Sequence, residues 1–225
     1  MTLWQCVLSW WCQQDDLVVG TPAGHRADPQ LTEMIGFIVN SLAIRQRMHD
    51  GETVAEIFKR TKATCLEAYA NQDVPFDQVV QAIQPKRSLQ ESAPIYRTWF
   101  VLHDVPMPNW SLPGIKDTLM DAHFLLDVHD LKLSLVAKEG GMEGGLDYRC
   151  ALFSAETIQH LGETFKHLVT WTVQQSAEVS VQQLRAELTQ FWSTLERSKR
   201  ENAALPKWDF SVSRRSSIRK SHDSK

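Results

Sequence analysis

Ile35-Gly36-Phe37-Ile38-Val39-Asn40-Ser41-Leu42-Ala43-Ile44-Arg45 and, further along, Asn71-Gln72-Asp73-Val74-Pro75-Phe76-Asp77 are the two strings that decide this sequence. In the first, apolar and β-branched residues follow a glycine and end on a charge, which predicts a strand over 37–45. Its alternation sets Phe37, Val39 and Ser41 on one face and Ile38, Asn40 and Leu42 on the other. In the second, Pro75 suits the first turn of a helix because its missing N–H has no partner there. Asp73 is the expected cap of that helix, and Phe76 its core residue. Gly36, like Gly20, reads as a position needed for backbone geometry.

Working outward, Leu17-Val18-Val19-Gly20 predicts a short buried strand stopped by Gly20 and Pro22. Thr53 and Glu56 form a capping box, followed by Ile57, Phe58, Thr61, Cys65, Ala68 and Tyr69 at helical spacing. Val79, Val80 and Ile83 give the next helix its apolar face, and Pro85 ends it. Residues 95–103 predict a strand. Leu131, Leu133 and Leu135 alternate with Lys132, Ser134 and Val136; a glycine-rich turn over 140–145 returns the chain through 146–152. Ser154 caps a helix facing inward with Ile158, Leu161, Phe165 and Leu168; Ser180 and Gln183 box the last one. Interleaved helices and strands without regular βαβ units predict a mixed α/β (α+β) fold with a partly antiparallel sheet flanked by helices.

Bulk composition narrows the class. With 225 residues, 43% hydrophobic and 23% charged, the chain is an ordinary globular one with one fair-sized domain. A net charge of -3 gives no reason to expect nucleic acid. From Glu196 onward nine Lys/Arg face four Asp/Glu, so the end of the chain is basic while the rest carries -8. Cys6, Cys12, Cys65 and Cys150 lack zinc or disulfide-framework spacing, which predicts reduced thiols in a cytoplasmic protein. The apolar opening 1–12 has no basic flank and is too short to span a bilayer; it reads as a buried helix, and no membrane is expected. No glycine loop for a nucleotide is present.

Taken together, several strings resemble the condensation domains of nonribosomal peptide synthetases. Asp15-Asp16-Leu17-Val18-Val19-Gly20-Thr21-Pro22 with Gly24-His25-Arg26 is similar to the family's DDxVVGTPxxGR. The first opening string resembles IGxFVNTLxxR, with Ile38 for Phe and Ser41 for Thr, and the second resembles HQDxPFExLV. Lys86-Arg87-Ser88-Leu89 through Pro94-Ile95 is a worn RDxSRxPL. Residues 129–135 are similar to KFDLxLSL, and 152–158 to LFxxxTIxxL.

The resemblance covers roughly residues 3–184 and implies the C-terminal of two chloramphenicol acetyltransferase-like lobes. It then implies a division into that lobe over 1–184, a terminal helix or linker over 185–202, and a disordered basic tail over 203–225. Family chemistry is amide-bond formation between aminoacyl or peptidyl thioesters on carrier domains. No cofactor is bound directly; the substrates ride on phosphopantetheine arms. The expected partners are carrier (thiolation) domains and an N-terminal condensation lobe, in cis or in trans. That other lobe holds the family's HHxxxDG motif, absent from this sequence, so no catalytic residue is expected here.

His123 and Asp127 fit HxxxD but lack the doubled histidine and the glycine, and read as sheet. His103-Asp104 and His129-Asp130 are neighbours on strands and point to opposite faces. Asn40 is the substrate-channel candidate, since an amide both donates and accepts; it could equally satisfy backbone groups at a strand edge. Arg26 is a second candidate, able to pair with a carboxylate between lobes or to close its own loop. Three readings stay open: a partial condensation domain inactive alone, an acyltransferase active only with a partner lobe, and a non-catalytic carrier-binding scaffold. A lone lobe should also expose an apolar face.

Overall fold

The computed structural model describes residues 1–24, 29–32, 34–84, 95–103, 114, 129–138, 140–176, 178–201 and 213–215. Strand β1 (Asp16–Ala23) pairs antiparallel with β2 (Asn40–Arg47) in unbroken register, from Asp16 opposite Arg47 to Ala23 opposite Asn40. On its other side β1 meets β3 (Thr98–His103) in parallel, and β3 meets β4 (Leu131–Lys138) in parallel. Strand β5 (Gly141–Arg149) returns antiparallel to β4, and three residues, β6 (Ser213–Arg215), lie parallel beside 147–149. The sheet order is β2-β1-β3-β4-β5-β6. The mixed sheet flanked by helices is the fold class that the interleaved pattern predicts.

The helices are α1 (Thr2–Cys12), α2 (Pro29–Thr32), α3 (Val54–Ala70), α4 (Phe76–Ile83), α5 (Ala155–Gln174) and α6 (Val181–Glu201). Three of them, α1, α5 and α6, pack together on one sheet face. There Trp4, Val7, Leu8, Ile158, Leu161, Leu168, Leu184 and Leu188 close over Val19, Phe100, Leu131, Leu133, Leu146 and Tyr148. Each such side chain contributes about 1.5–3 kcal/mol by leaving water, so this layer holds the fold. Helix α3 lies along β2, with Ile57 and Thr61 buried and Cys65 and Ala68 packed near Leu42 and Ile44. Two buried polar groups there are paired: the Thr61 hydroxyl donates to Gln46 Oε1 at 3.1 Å, and Gln5 Nε2 donates to the Ile44 carbonyl at 3.1 Å, while Gln5 Oε1 has no hydrogen-bond partner among the described residues. Phe58 and Tyr69 of the expected stripe are exposed instead.

Both capping boxes and the Ser154 cap are present. Thr53 Oγ1 accepts from Glu56 N while Glu56 accepts from Thr53 N. Ser180 and Gln183 do the same, and Ser154 Oγ accepts from Thr157 N at 3.1 Å.

Four boundaries differ from expectation. Strand β1, expected to stop at Gly20 and Pro22, runs through both to Ala23, because each lies in register opposite β2. The strand predicted over 37–45 begins at Asn40 and runs to Arg47, leaving 37–39 without a strand partner. The predicted strand over 95–103 begins at Thr98. The glycine-rich stretch 141–145 is strand rather than turn, since Gly141 to Gly145 pair with Lys138 to Ser134. Gly140, just before it, has left-handed backbone at φ +89°.

Candidate functional site

The two opening strings meet at one amide. Asn40, the first residue of β2, donates through Nδ2 to the carbonyls of Gln72 and Val74, both at 2.7 Å. Its Oδ1 accepts from its neighbour Ser41 N at 2.9 Å and from Phe76 N at 3.2 Å. An amide has two donors and two acceptor positions, so all four are used on backbone atoms. Phe76 is the first residue of α4, whose N-cap position belongs to Pro75, not Asp73, and carries no side-chain cap bond. Asn40 thus satisfies, from 36 residues away, a donor that a local cap would otherwise take.

Around this junction the apolar residues are open. Phe37 is 93% exposed, Ile35 is fully exposed, and Val39 and Val74 are 44% and 45% exposed. Helix α4 has no buried residue, and Ile83 on its apolar side is 60% exposed. The sequence predicts an open apolar face for a lone lobe; among the described residues exposed apolar side chains occur at the two motifs and also singly elsewhere, as at Val173 and Met142. Gly36 has open space where a Cβ would sit and lacks a positive φ, so it meets neither geometric need expected of it.

Phe76 anchors α4 from beneath. Its ring lies 5.1 Å from that of Tyr96, which continues into Trp99 at 5.5 Å. His129 stacks on Trp99 at 4.4 Å and on Tyr96 at 5.9 Å. This is the second sheet face, where Tyr96, Trp99 and Val101 are buried among Val18, Ala43, Phe76 and Ile95. Gly20 makes the stack possible: a Cβ there would stand 2.4 Å from both Trp99 Cε3 and Tyr96 Cε2. Burial pushes the Tyr96 phenol above its ordinary range, partly offset by a hydrogen bond with Ser41.

Charges of the matched strings pair with one another. Arg45 grips Asp16 through two bonds, one of 2.7 Å from Nε, and Arg47 adds a third at 3.0 Å. Arg45 beside it holds the Asp16 carboxyl well below the usual range, at about 2. Asp15 and Asp50 both pair with Arg185 of α6. Asp130, almost wholly buried, lies between Arg97 and Arg149, the latter at 2.9 Å. Its neighbour His129 is in the aromatic stack, so the two side chains serve different groups. Sequence reasoning misses these ion pairs; the cross-strand register is a signal for the Asp16 pairs with Arg45 and Arg47 alone.

Arg26, His123, Asp127, Asp104, the 86–94 string and most of the tail lie outside the described residues. Two cavities, of about 420 and 390 Å³, open elsewhere: one among Trp11, His160, Trp192, Glu156 and Glu196, the other among Val54, Phe58, Trp171 and Val179. Neither takes in Asn40. All four cysteines are free thiols, and burial pushes Cys6 up to about 12, so it is inert at neutral pH. Among the described residues no cluster of His, Cys, Asp and Glu suits a metal ion, and no helix is long and apolar enough to cross a membrane.

Comparison with known proteins adds three findings. The family model described as Condensation domain matches residues 1–179. Malpinin synthetase of Mortierella alpina is 34% identical over 188 residues, which are 83% of this chain and 2% of that synthetase. Bacitracin synthase 3 of Bacillus licheniformis is 32% identical over 152 residues, 68% of this chain and again 2% of its own length. Among solved structures, the X-domain from teicoplanin biosynthesis superposes with a TM-score of 0.68 at 22% identity, over 80% of this chain and 42% of that one. The condensation domain of the monacolin K polyketide synthase MokA superposes at 0.69 and 15% identity, over 80% and 41%. These structural likenesses fix the fold as a chloramphenicol acetyltransferase-like lobe. The chain spans less than half of either domain structure and a small fraction of either synthetase.

Proposed function

The chain belongs to the condensation domain family, and we propose that it is the C-terminal lobe of a nonribosomal peptide synthetase condensation domain, inactive by itself. The carrying observation is the open apolar surface at the two motifs: Ile35, Phe37, Val39, Val74 and Ile83 face water where a second lobe would cover them. The family match over residues 1–179 supports the assignment to this family.

In this reading the missing lobe brings the HHxxxDG histidines. The chemistry is attack of the acceptor's free amine on the donor thioester carbonyl, with the carrier thiol leaving as the amide forms. A histidine near neutrality suits the positioning or deprotonation of that amine. The present lobe closes the channel around the two pantetheine arms. Arg26 is proposed at the junction between lobes, and Asn40 at the base of the channel wall. Carrier domains are the proposed partners, and the cytoplasm the proposed compartment, supported by four free thiols.

Reconstitution tests this. The chain is mixed with a separately made N-terminal lobe carrying HHxxxDG and with two aminoacyl-loaded carrier domains, and dipeptidyl carrier is followed by mass spectrometry. Product requires both lobes. Replacing His103, His123 and His129 by alanine leaves product formation intact, because the base comes from the other lobe. Product from the chain alone would overturn the proposal.

A further inference from the structure

Helix α4 is held in an unusual way, and the two motifs explain each other through it. It is eight residues long and has no buried side chain. A helix this short has little stability of its own. Its N-cap position is a proline, which offers no side-chain acceptor. Among the described residues, two attachments hold its start: the Phe76 ring on Tyr96 and the Asn40 amide on Phe76 N, Gln72 O and Val74 O. Asn40 also begins β2, directly after the exposed stretch 34–39. One side chain therefore sets the position of the exposed stretch relative to the exposed helix.

We propose that Asn40 is a positioning residue that joins stretch 34–39 and α4 into one preformed docking surface for the partner lobe. This rests on the reading that a second lobe covers that surface. Because every bond of the amide goes to backbone, the joint depends on Asn40 and not on the side chains it holds. Asparagine is the residue that fits: two carbonyls require two N–H donors, and two amide N–H groups require a two-fold acceptor. Aspartate keeps the acceptor and sets a carboxylate against two carbonyls. Alanine leaves two carbonyls and an amide of the 72–76 turn without their partner.

The test is amide hydrogen exchange on the full chain, read by peptide for wild type, N40A, N40D and T21V. Thr21 donates its hydroxyl to the buried Phe100 carbonyl at 2.9 Å and serves as a control for general destabilisation. N40A should speed exchange across 72–83 at least tenfold while 131–135 and 146–149 stay as in wild type. N40D should fall between, since it keeps the bond to Phe76 N. T21V should act on the sheet and leave 72–83 unchanged relative to it. In parallel, N40A should bind the HHxxxDG-bearing lobe at least tenfold more weakly than wild type, and T21V should bind as wild type does. If N40A speeds exchange everywhere alike, or leaves 72–83 unchanged, Asn40 is no positioning residue. If wild type itself fails to bind the lobe while the exchange result holds, the partner reading fails and the joint stands.

Discussion

The helical face of the sheet and the motif corner are built on opposite rules. On the helical face, side chains from α1, α5 and α6 are buried against β1, β3, β4 and β5. At the motif corner the backbone is tightly bonded through Asn40, yet the apolar side chains around it face solvent. The first region stabilises the lobe, and the second is the one proposed to meet a partner. The strings that resemble the family reach both regions: Ile44, Leu131, Leu133 and Ile158 are buried, while Ile35, Phe37 and Val74 are open.

The sharpest contrast comes from paired substitutions. Leu133→Ala, at 2% exposure in the helical-face core, should cost about 2–5 kcal/mol in denaturant unfolding. Phe37→Ser should stay within about 0.5 kcal/mol of wild type, while abolishing partner-lobe binding and improving solubility. A large stability loss from Phe37→Ser would mean that the strip is already covered within this chain.

Asp130→Ala should cost about 1.5–3 kcal/mol, because it removes the buried carboxylate's charge-assisted bonds to the partly exposed Arg97 and Arg149. Gly20→Ala should cost about 1–3 kcal/mol through overpacking against Trp99 and Tyr96, visible as a changed near-ultraviolet aromatic signal. The smallest effect belongs to Asp16, whose half-exposed pairs with Arg45 and Arg47 are worth about 1 kcal/mol or less. Its carboxyl is held down at about 2 against an ordinary 3.8. That contribution is thus complete above about pH 4 and fades as the pH falls toward 2. Asp16→Asn should remove this part of the acid titration of stability and leave the neutral Tm nearly unchanged.

Much of this architecture is legible in the sequence because local physics agrees with it. Thr53/Glu56, Ser154 and Ser180/Gln183 place helix starts within a residue, since a cap is a side chain bonding its own turn. The period-two leucines of β4 mark a face that is buried. Glycines mislead where they lie within β5, because side-chain-poor strand reads as turn. The strand does not start at 37: Phe37 and Val39 are exposed rather than buried against a sheet face, so their alternation misleads. Asp73, which precedes the proline, looks like the cap of α4; the acceptor comes instead from Asn40, a tertiary contact no window of sequence contains. For the same reason the four-fold saturation of Asn40 and the Arg97–Asp130–Arg149 group emerge only from the fold.

Differential hydrogen exchange with and without the HHxxxDG-bearing lobe tests the division between the two regions most directly. Protection should appear in 34–39 and 74–83, with the α1, α5 and α6 peptides unchanged. Protection confined to α1, α5 and α6, with 34–39 still exchanging freely in the bound state, would contradict it.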